Sequence, residues 1–274
     1  MLKQRIITAC VLLLVLLVVV LGFADIWFQI FIGFVLALGA WEWSRLSGVE
    51  SRAGRAVYLI MFLALLYLLR MYSEPGGFII TAGVLWWILA LVLIKLYPHF
   101  THLWHRTPLL LGMGLAVLLP CWLSLLYLRD HADFRQYIFL FFAMVAAADI
   151  GAYFSGKRFG RHKLSPTVSP NKTWEGFAGG VLACCVVFLL SLLLMDLADF
   201  ELNLTALLKA TAGAAVLASY SVVGDLFESM MKRQANVKDS GTLLPGHGGV
   251  LDRIDSMTAA LPLYTWVLMG AGLI

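Results

Sequence analysis

The chain has 274 residues, 61% hydrophobic and 13% charged, whereas a soluble domain is roughly 45–50% apolar and about 25% charged; a water-soluble globular fold is excluded. The formal net charge of +4 comes from lysines and arginines in the loops between apolar runs, and nothing in it calls for a nucleic-acid partner. A hydrocarbon core about 30 Å thick takes roughly 20 apolar residues per helix, and runs of that length recur along almost the whole chain.

In chain order, nine membrane spans are expected near residues 6–23, 26–41, 56–69, 78–97, 109–128, 137–154, 176–197, 204–227 and 254–274. The fold class is therefore all-α, a polytopic membrane bundle of about nine transmembrane helices. Lys3 and Arg5 precede the first span as they would a secretory signal, but the apolar stretch exceeds the roughly 7–15-residue core of such a signal. The second and third spans are short, which leaves tilted, broken or partly interfacial helices open. With the N-terminus inside, all of the 20 Lys and Arg residues except Arg70, Arg129, Arg135 and Lys209 fall in inside loops, the excess that cytoplasmic loops carry.

Cys10, Cys121, Cys184 and Cys185 sit within spans, lack the CxxC spacing of zinc or redox sites, and read as small apolar residues. His99, His102 and His105 recur every third residue before Pro108. A metal face is one reading; interfacial histidines without a ligand role are the preferred one. The chain divides into N-terminal transmembrane helices, 1–136, and a C-terminal catalytic transmembrane region, 137–274, whose loops cover 155–175 and 228–253.

Charged residues are costly within a membrane, by about 2.5–3.5 kcal/mol for Asp, Lys or Arg at a helix centre on insertion scales, so their placement is informative. Asp149 lies in the sixth span among Ala146, Ala147, Ala148, Gly151 and Ala152, small residues that let helices approach closely. An intramembrane carboxylate is a functional candidate; a packing role, paired with a Lys or a hydroxyl, is the alternative. Lys157, Arg158, Arg161 and Lys163 follow, readable on charge alone as an ordinary positive-inside loop or as one touching anionic lipid headgroups. In the next stretch, SPNKTWEG, Ser169, Asn171, Lys172 and Thr173 precede the seventh span. Hydroxyl and amide residues at a helix start with a nearby Lys suit an anion.

The last inside loop is the richest. Asp225 and Glu228 are three apart on one helix face, followed by Ser229, Lys232 and Arg233. Asp252 and Asp255, also three apart, open the ninth span on either side of Arg253. Between the pairs lie Lys238, Asp239, Pro245, His247, Gly248 and Gly249. Mg²⁺ is bound by one or two carboxylates plus substrate phosphates, basic side chains neutralise the remaining phosphate charge, and a Gly pair lets backbone N–H groups approach phosphate oxygens. The composition points to phosphoryl or nucleotidyl transfer, with a solvated loop capped by ordinary interfacial charges as the alternative. Because this loop and the 155–175 loop flank the seventh and eighth spans, they share one face of the membrane.

The run 229–255, SMMKRQANVKDSGTLLPGHGGVLDRID, resembles the phosphatidate cytidylyltransferases, also called CDP-diacylglycerol synthases, whose pattern SxxKRxxxxKDxGxxxPGHGGxxDRxD it fits at every fixed position. SPNKTWEG and GDLFES resemble family segments too, so the likeness covers about 146–256. It implies transfer of CMP from CTP to phosphatidate, giving CDP-diacylglycerol and pyrophosphate in phospholipid biosynthesis. It also implies Mg²⁺ as cofactor, with a monovalent cation such as K⁺ as a candidate second ion, and a homodimer in contact with membrane lipid. The implied location is a bacterial-type inner (cell) membrane, crossed many times, with the catalytic loops in the cytoplasm.

The catalytic candidates are Asp225, Asp252, Asp255 and Lys238, with Asp225 and Asp252 as metal ligands and Asp255 serving a second cation or orienting a base. Candidates for substrate binding are Lys163, Ser169, Asn171, Lys172, Ser229, Lys232, Arg233, His247, Gly248, Gly249 and Arg253. His247 either bonds pyrophosphate or holds the HGG turn. Two rival readings are a CTP-dependent polyprenol or phytol kinase, or a synthase for archaeal ether lipids, and a transporter with Asp149 and Asp225 on a cation path.

Overall fold

The computed structural model describes residues 2–72, 76–194 and 204–274. Nine long helices run through them: α1 (Leu2–Gly22), α2 (Asp25–Leu46), α3 (Arg52–Met71), α4 (Gly76–Leu96), α5 (Thr107–Asp130), α6 (Phe134–Phe159), α7 (Trp174–Leu194), α8 (Leu204–Gln234) and α9 (Leu251–Gly270). Each matches one expected span; the last three residues of the 176–197 span lie outside the described residues. By length and apolarity alone, α2 through α8 could each cross a membrane. In α1 the apolar stretch is the shorter Cys10–Gly22, and α9 carries Asp252, Arg253 and Asp255 near its start. The second and third spans, short by hydropathy, are unbroken helices of 22 and 20 residues. Their ends are polar, so hydropathy ends them early while backbone hydrogen bonding continues.

Helix ends follow local chemistry. Ser51 caps α3 by accepting from Gly54 N at 3.1 Å. α8 runs seven residues past its apolar stretch to Gln234. There Asn236 takes φ 54°, and Asn236 N and Val237 N donate back to the carbonyls of Arg233 and Lys232 at 3.1 and 2.9 Å. That pairing is a Schellman stop, which favours Gly or Asn in the left-handed position. Glu228, Ser229, Lys232 and Arg233 therefore stand on a helix, and the non-helical part of the last loop is 235–250.

The segment between α6 and α7 also differs from a plain loop. It folds as an antiparallel hairpin of β1 (Lys163–Ser165) and β2 (Ser169–Thr173). Ser169, Asn171 and Lys172 thus lie on a strand, and Thr173 alone supplies a helix cap, accepting from Gly176 N at 3.1 Å.

One continuous hydrophobic core joins the two halves of the chain. α9 packs on α4, α5 and α8, and α6 on α7. Phe227 of α8 is fully buried, stacked on Trp43 at 6.1 Å and edge-on to Trp86 and Trp87 at 5.8 and 5.7 Å. These aromatics hold α8 against α2 and α4 at the level of Asp225 and Glu228. Gly224 lets α8 meet α9: a Cβ there would strike the Asp255 carbonyl oxygen. This close crossing brings the two carboxylate pairs into one neighbourhood.

Candidate active site

Two lysine–carboxylate assemblies make up the site. The first joins the hairpin to α8: Lys172 Nζ of β2 lies 2.5 Å from Asp225 Oδ2, the two side chains 25% and 34% exposed. Among the described residues the other Asp225 oxygen accepts only from Ser229 Oγ, at 3.3 Å. Asp149 of α6 is close enough to Asp225, Lys172 and Arg253 for their charges to interact. It stands beside this assembly, where α6 packs closely on α7 and Gly151 faces the Gly179 carbonyl.

The second assembly is buried. Lys232 Nζ donates to Asp252 Oδ1 at 2.5 Å and to Glu228 Oε2 at 3.1 Å, and the side chains of Lys232, Asp252 and Glu228 are 12%, 5% and 4% exposed. Asp252 Oδ2 accepts from Ser240 N at 2.8 Å, Ser240 Oγ at 2.9 Å and Gly249 N at 2.8 Å. Gly248, at φ 84°, carries no Cβ where one would strike that same oxygen. Asp252 thus ties both ends of the 235–250 loop to α8. Asp255 lies near enough to Asp225 and Glu228 for their charges to interact, and Glu228 to Asp252. The carboxylates form one connected patch.

A third group was not legible in the motif. Glu42, buried near the end of α2, accepts from Ser240 Oγ at 3.0 Å and from the Val250 and Leu251 N–H groups at 3.0 and 2.9 Å. These two N–H groups are orphan donors at the start of α9, where the helix dipole favours an anion. One turn on, Arg45 Nη2 donates to the carbonyls of Ser240, at 2.5 Å, and Asp239, at 3.1 Å. Glu42 and Arg45 of the N-terminal half therefore hold the loop that carries the C-terminal motif. The available signal was a carboxylate inside the apolar run LALGAWEWSRL; a charge buried in a membrane helix is rarely idle.

The other candidates lie around this frame. Arg233 Nε donates to the Val168 carbonyl at 3.4 Å, joining α8 to the hairpin turn. Lys163, Asn171, Lys238 and Arg253 are exposed, available to solutes, and Ser169 is half-buried, paired across the hairpin with Ser165. The HGG turn is closed by backbone, with Leu244 N donating to Gly248 O and His247 N to Leu244 O, both at 2.9 Å. His247 Nδ1 is buried and has no partner among the described residues.

The donor set suits a hard cation such as Mg²⁺. Asp149, Asp225, Glu228, Asp252 and Asp255 supply only oxygen, and Glu228 Oε1 is buried without a hydrogen-bond partner among the described residues. A lysine ammonium lies against each of the two carboxylates expected to be ligands. Among the described residues, no three His, Cys, Asp or Glu side chains form a ready-made metal cage. Phosphate and water oxygens would complete the shell, the usual arrangement for Mg²⁺.

The chain matches the cytidylyltransferase family over residues 3–270. It is 46% identical over 272 residues to the phosphatidate cytidylyltransferase of Pseudomonas aeruginosa, which covers 99% of this chain and 98% of that one. It is 38% identical over 289 residues to the phosphatidate cytidylyltransferase of Haemophilus influenzae, with 97% and 98% covered. A shorter match, 43% identical over 143 residues, joins 52% of the chain to 53% of the Staphylococcus haemolyticus enzyme of the same name.

Proposed function

The chain belongs to the cytidylyltransferase family, and from that membership we infer that it is a phosphatidate cytidylyltransferase, a multi-pass membrane enzyme that transfers CMP from CTP to phosphatidate. The observation that carries this reading to individual residues is the junction of α8, α9 and the hairpin, where carboxylates and lysines from distant parts of the sequence meet in one patch. A phosphate oxygen of phosphatidate attacks the α-phosphorus of CTP. The new P–O bond forms as the bond to the β-phosphate oxygen breaks, and pyrophosphate leaves with that electron pair.

Phosphatidate is already ionised, so no strong general base is required. The obstacle is the approach of two anions, since like unit charges 4 Å apart repel by about 4 kcal/mol at an effective dielectric of 20. Asp225 and Asp252, with Glu228 and Asp255 behind them, would hold Mg²⁺. When bound there, the ion would supply Lewis-acid stabilisation of the negative charge that develops in the transfer. Lys172, one-quarter exposed and paired with Asp225, turns to the incoming phosphates. Lys238 and Arg253 face the same solvent, and Lys163, Ser169 and Asn171 line the hairpin side. Lys232, buried between Glu228 and Asp252, keeps Asp252 in place. Ser229 steadies Asp225, Arg233 fixes the hairpin on α8, and Gly248 and Gly249 let the loop backbone pass close to Asp252.

The reading extends to catalytic loops on the cytoplasmic side, supported by the loop charge asymmetry, and to a homodimer, supported by the family likeness. The deciding experiment supplies the purified protein with CTP labelled at the α-phosphate, phosphatidate and Mg²⁺. Label in the lipid fraction with an equal amount of pyrophosphate is expected. Release of CDP with unlabelled lipid would instead identify a CTP-dependent lipid kinase.

A further inference from the structure

Away from the carboxylate patch, an open groove of 650 Å³ lies between α2 and α3, lined by apolar side chains that include Ile30, Phe34, Leu59 and Leu63. Its α2 wall runs from Ile26 to Trp41, about 22 Å at 1.5 Å per residue, which is most of a hydrocarbon core about 30 Å thick. At the loop end it meets a second, more polar hollow of 440 Å³, and Leu38 and Trp41 line both. The walls of that hollow include Arg45, Arg55, Glu42, Ser240 and Leu243. Arg55 lies over the Trp41 ring at 5.7 Å and donates only its Nε, to the Val49 carbonyl at 2.9 Å. Arg45 spends only Nη2, on the two loop carbonyls. Among the described residues neither guanidinium forms an ion pair, and each keeps N–H groups without a protein acceptor.

We propose that this groove and its basic head form a binding site for an anionic phosphodiester lipid of the surrounding bilayer, seated against the loop that holds Asp252. An acyl chain matches the apolar groove. A phosphate matches two guanidiniums, which bind phosphate oxygens with charge-assisted bonds, and basic pockets between membrane helices bind such headgroups. The charge balance selects the diester: two arginines beside the single carboxylate of Glu42 leave one positive charge, equal to the one negative charge of a diester and short of the two on a monoester. The site is distinct from the carboxylate and lysine patch proposed for the reacting phosphates, and it stands whether or not the proposed reaction does. Because Ser240 both walls the hollow and bonds Asp252, an occupant also steadies the loop.

The test is native mass spectrometry of the full chain titrated with phosphatidylglycerol, phosphatidylcholine or phosphatidate. Arg55→Gln removes the headgroup contact. Gly33→Leu fills the groove, where a Cβ meets only Leu66 Cδ1 at 3.8 Å and so fits the helix. Arg52→Gln, on the exposed start of α3, is the control. One retained phosphatidylglycerol is expected in the unaltered chain and the control, held about tenfold more weakly in each of the other two variants. Phosphatidylcholine should bind weakly in all four. Hydrogen exchange at the amides of 240–243 should slow when phosphatidylglycerol is added to phosphatidylcholine vesicles, and Arg55→Gln should abolish that slowing. The proposal fails if either variant retains phosphatidylglycerol as the unaltered chain does, if phosphatidylcholine binds equally, if phosphatidate alone is retained, or if a second copy of the chain covers the groove and excludes lipid.

Discussion

Asp225 and Asp252 occupy corresponding places, one at the emerging end of α8 and one at the entering end of α9, each against a lysine at 2.5 Å. Their surroundings are opposite. Asp225 is one-third exposed and among the described residues has a single weak hydroxyl bond besides its lysine, whereas Asp252 is 5% exposed and accepts from a buried lysine, two backbone N–H groups and a hydroxyl. The first is free to exchange partners; the second is held in a finished frame. A site that must admit a large polyanion needs both, a fixed charge to set geometry and an open one to receive the ligand.

The largest test of that contrast is removal of the two charges in parallel. Asp252→Asn should abolish turnover and also lower stability by about 3–5 kcal/mol, the usual cost of breaking a buried ion pair, read as a fall in unfolding temperature in detergent. Asp225→Asn should abolish turnover equally with a stability change of at most about 1 kcal/mol, as for an exposed pair. If the two variants unfold alike, the contrast is wrong. If Asp252→Asn turns over normally at ordinary Mg²⁺, so is the metal assignment.

Next in size is Glu42→Gln, which keeps the shape but replaces an acceptor of three hydrogen bonds with a group that has one acceptor oxygen. A loss of about 1–3 kcal/mol is expected from the donors left unsatisfied, with turnover falling and hydrogen exchange rising at Val250 and Leu251. Unchanged exchange there would remove Glu42 from the loop's support. Mg²⁺ should raise the unfolding temperature of the unaltered protein, since a ligand that binds only the folded state stabilises it, but not that of Asp225→Asn. Equal shifts in both would place the ion elsewhere. Smallest is Lys95→Ala, in the last turn of α4, for which turnover within about twofold of normal is expected because surface changes are worth about 0.5 kcal/mol or less; a large loss would extend the site toward the N-terminal helices.

The spans, the shared face of the two motif-bearing loops, and the residue types of the site were legible in the sequence. Each rests on local or periodic signals: apolar runs, loop charge, and carboxylates three apart on a helix. The end of α8 was less legible, because hydropathy stops at Phe227 while Asn236 and its backbone bonds stop the helix only at Gln234. SPNKT suggested a helix start and is mostly strand, since its pairing partner, the stretch from Lys163 to Ser165, lies across a turn that side-chain composition does not announce.

By itself, then, the sequence determined a helical membrane protein with a phosphate-handling motif at one end, because hydrophobicity and charge are properties of individual residues. Only the tertiary structure decided that Glu42 and Arg45 carry the motif loop, that Asp252 is locked while Asp225 is open, and that Lys172 faces Asp225 across more than fifty residues of chain. Those are properties of pairs brought together by packing. The Gly224 crossing and the aromatic cluster around Phe227 create them, and no spacing along the chain encodes the distance between residues on different helices.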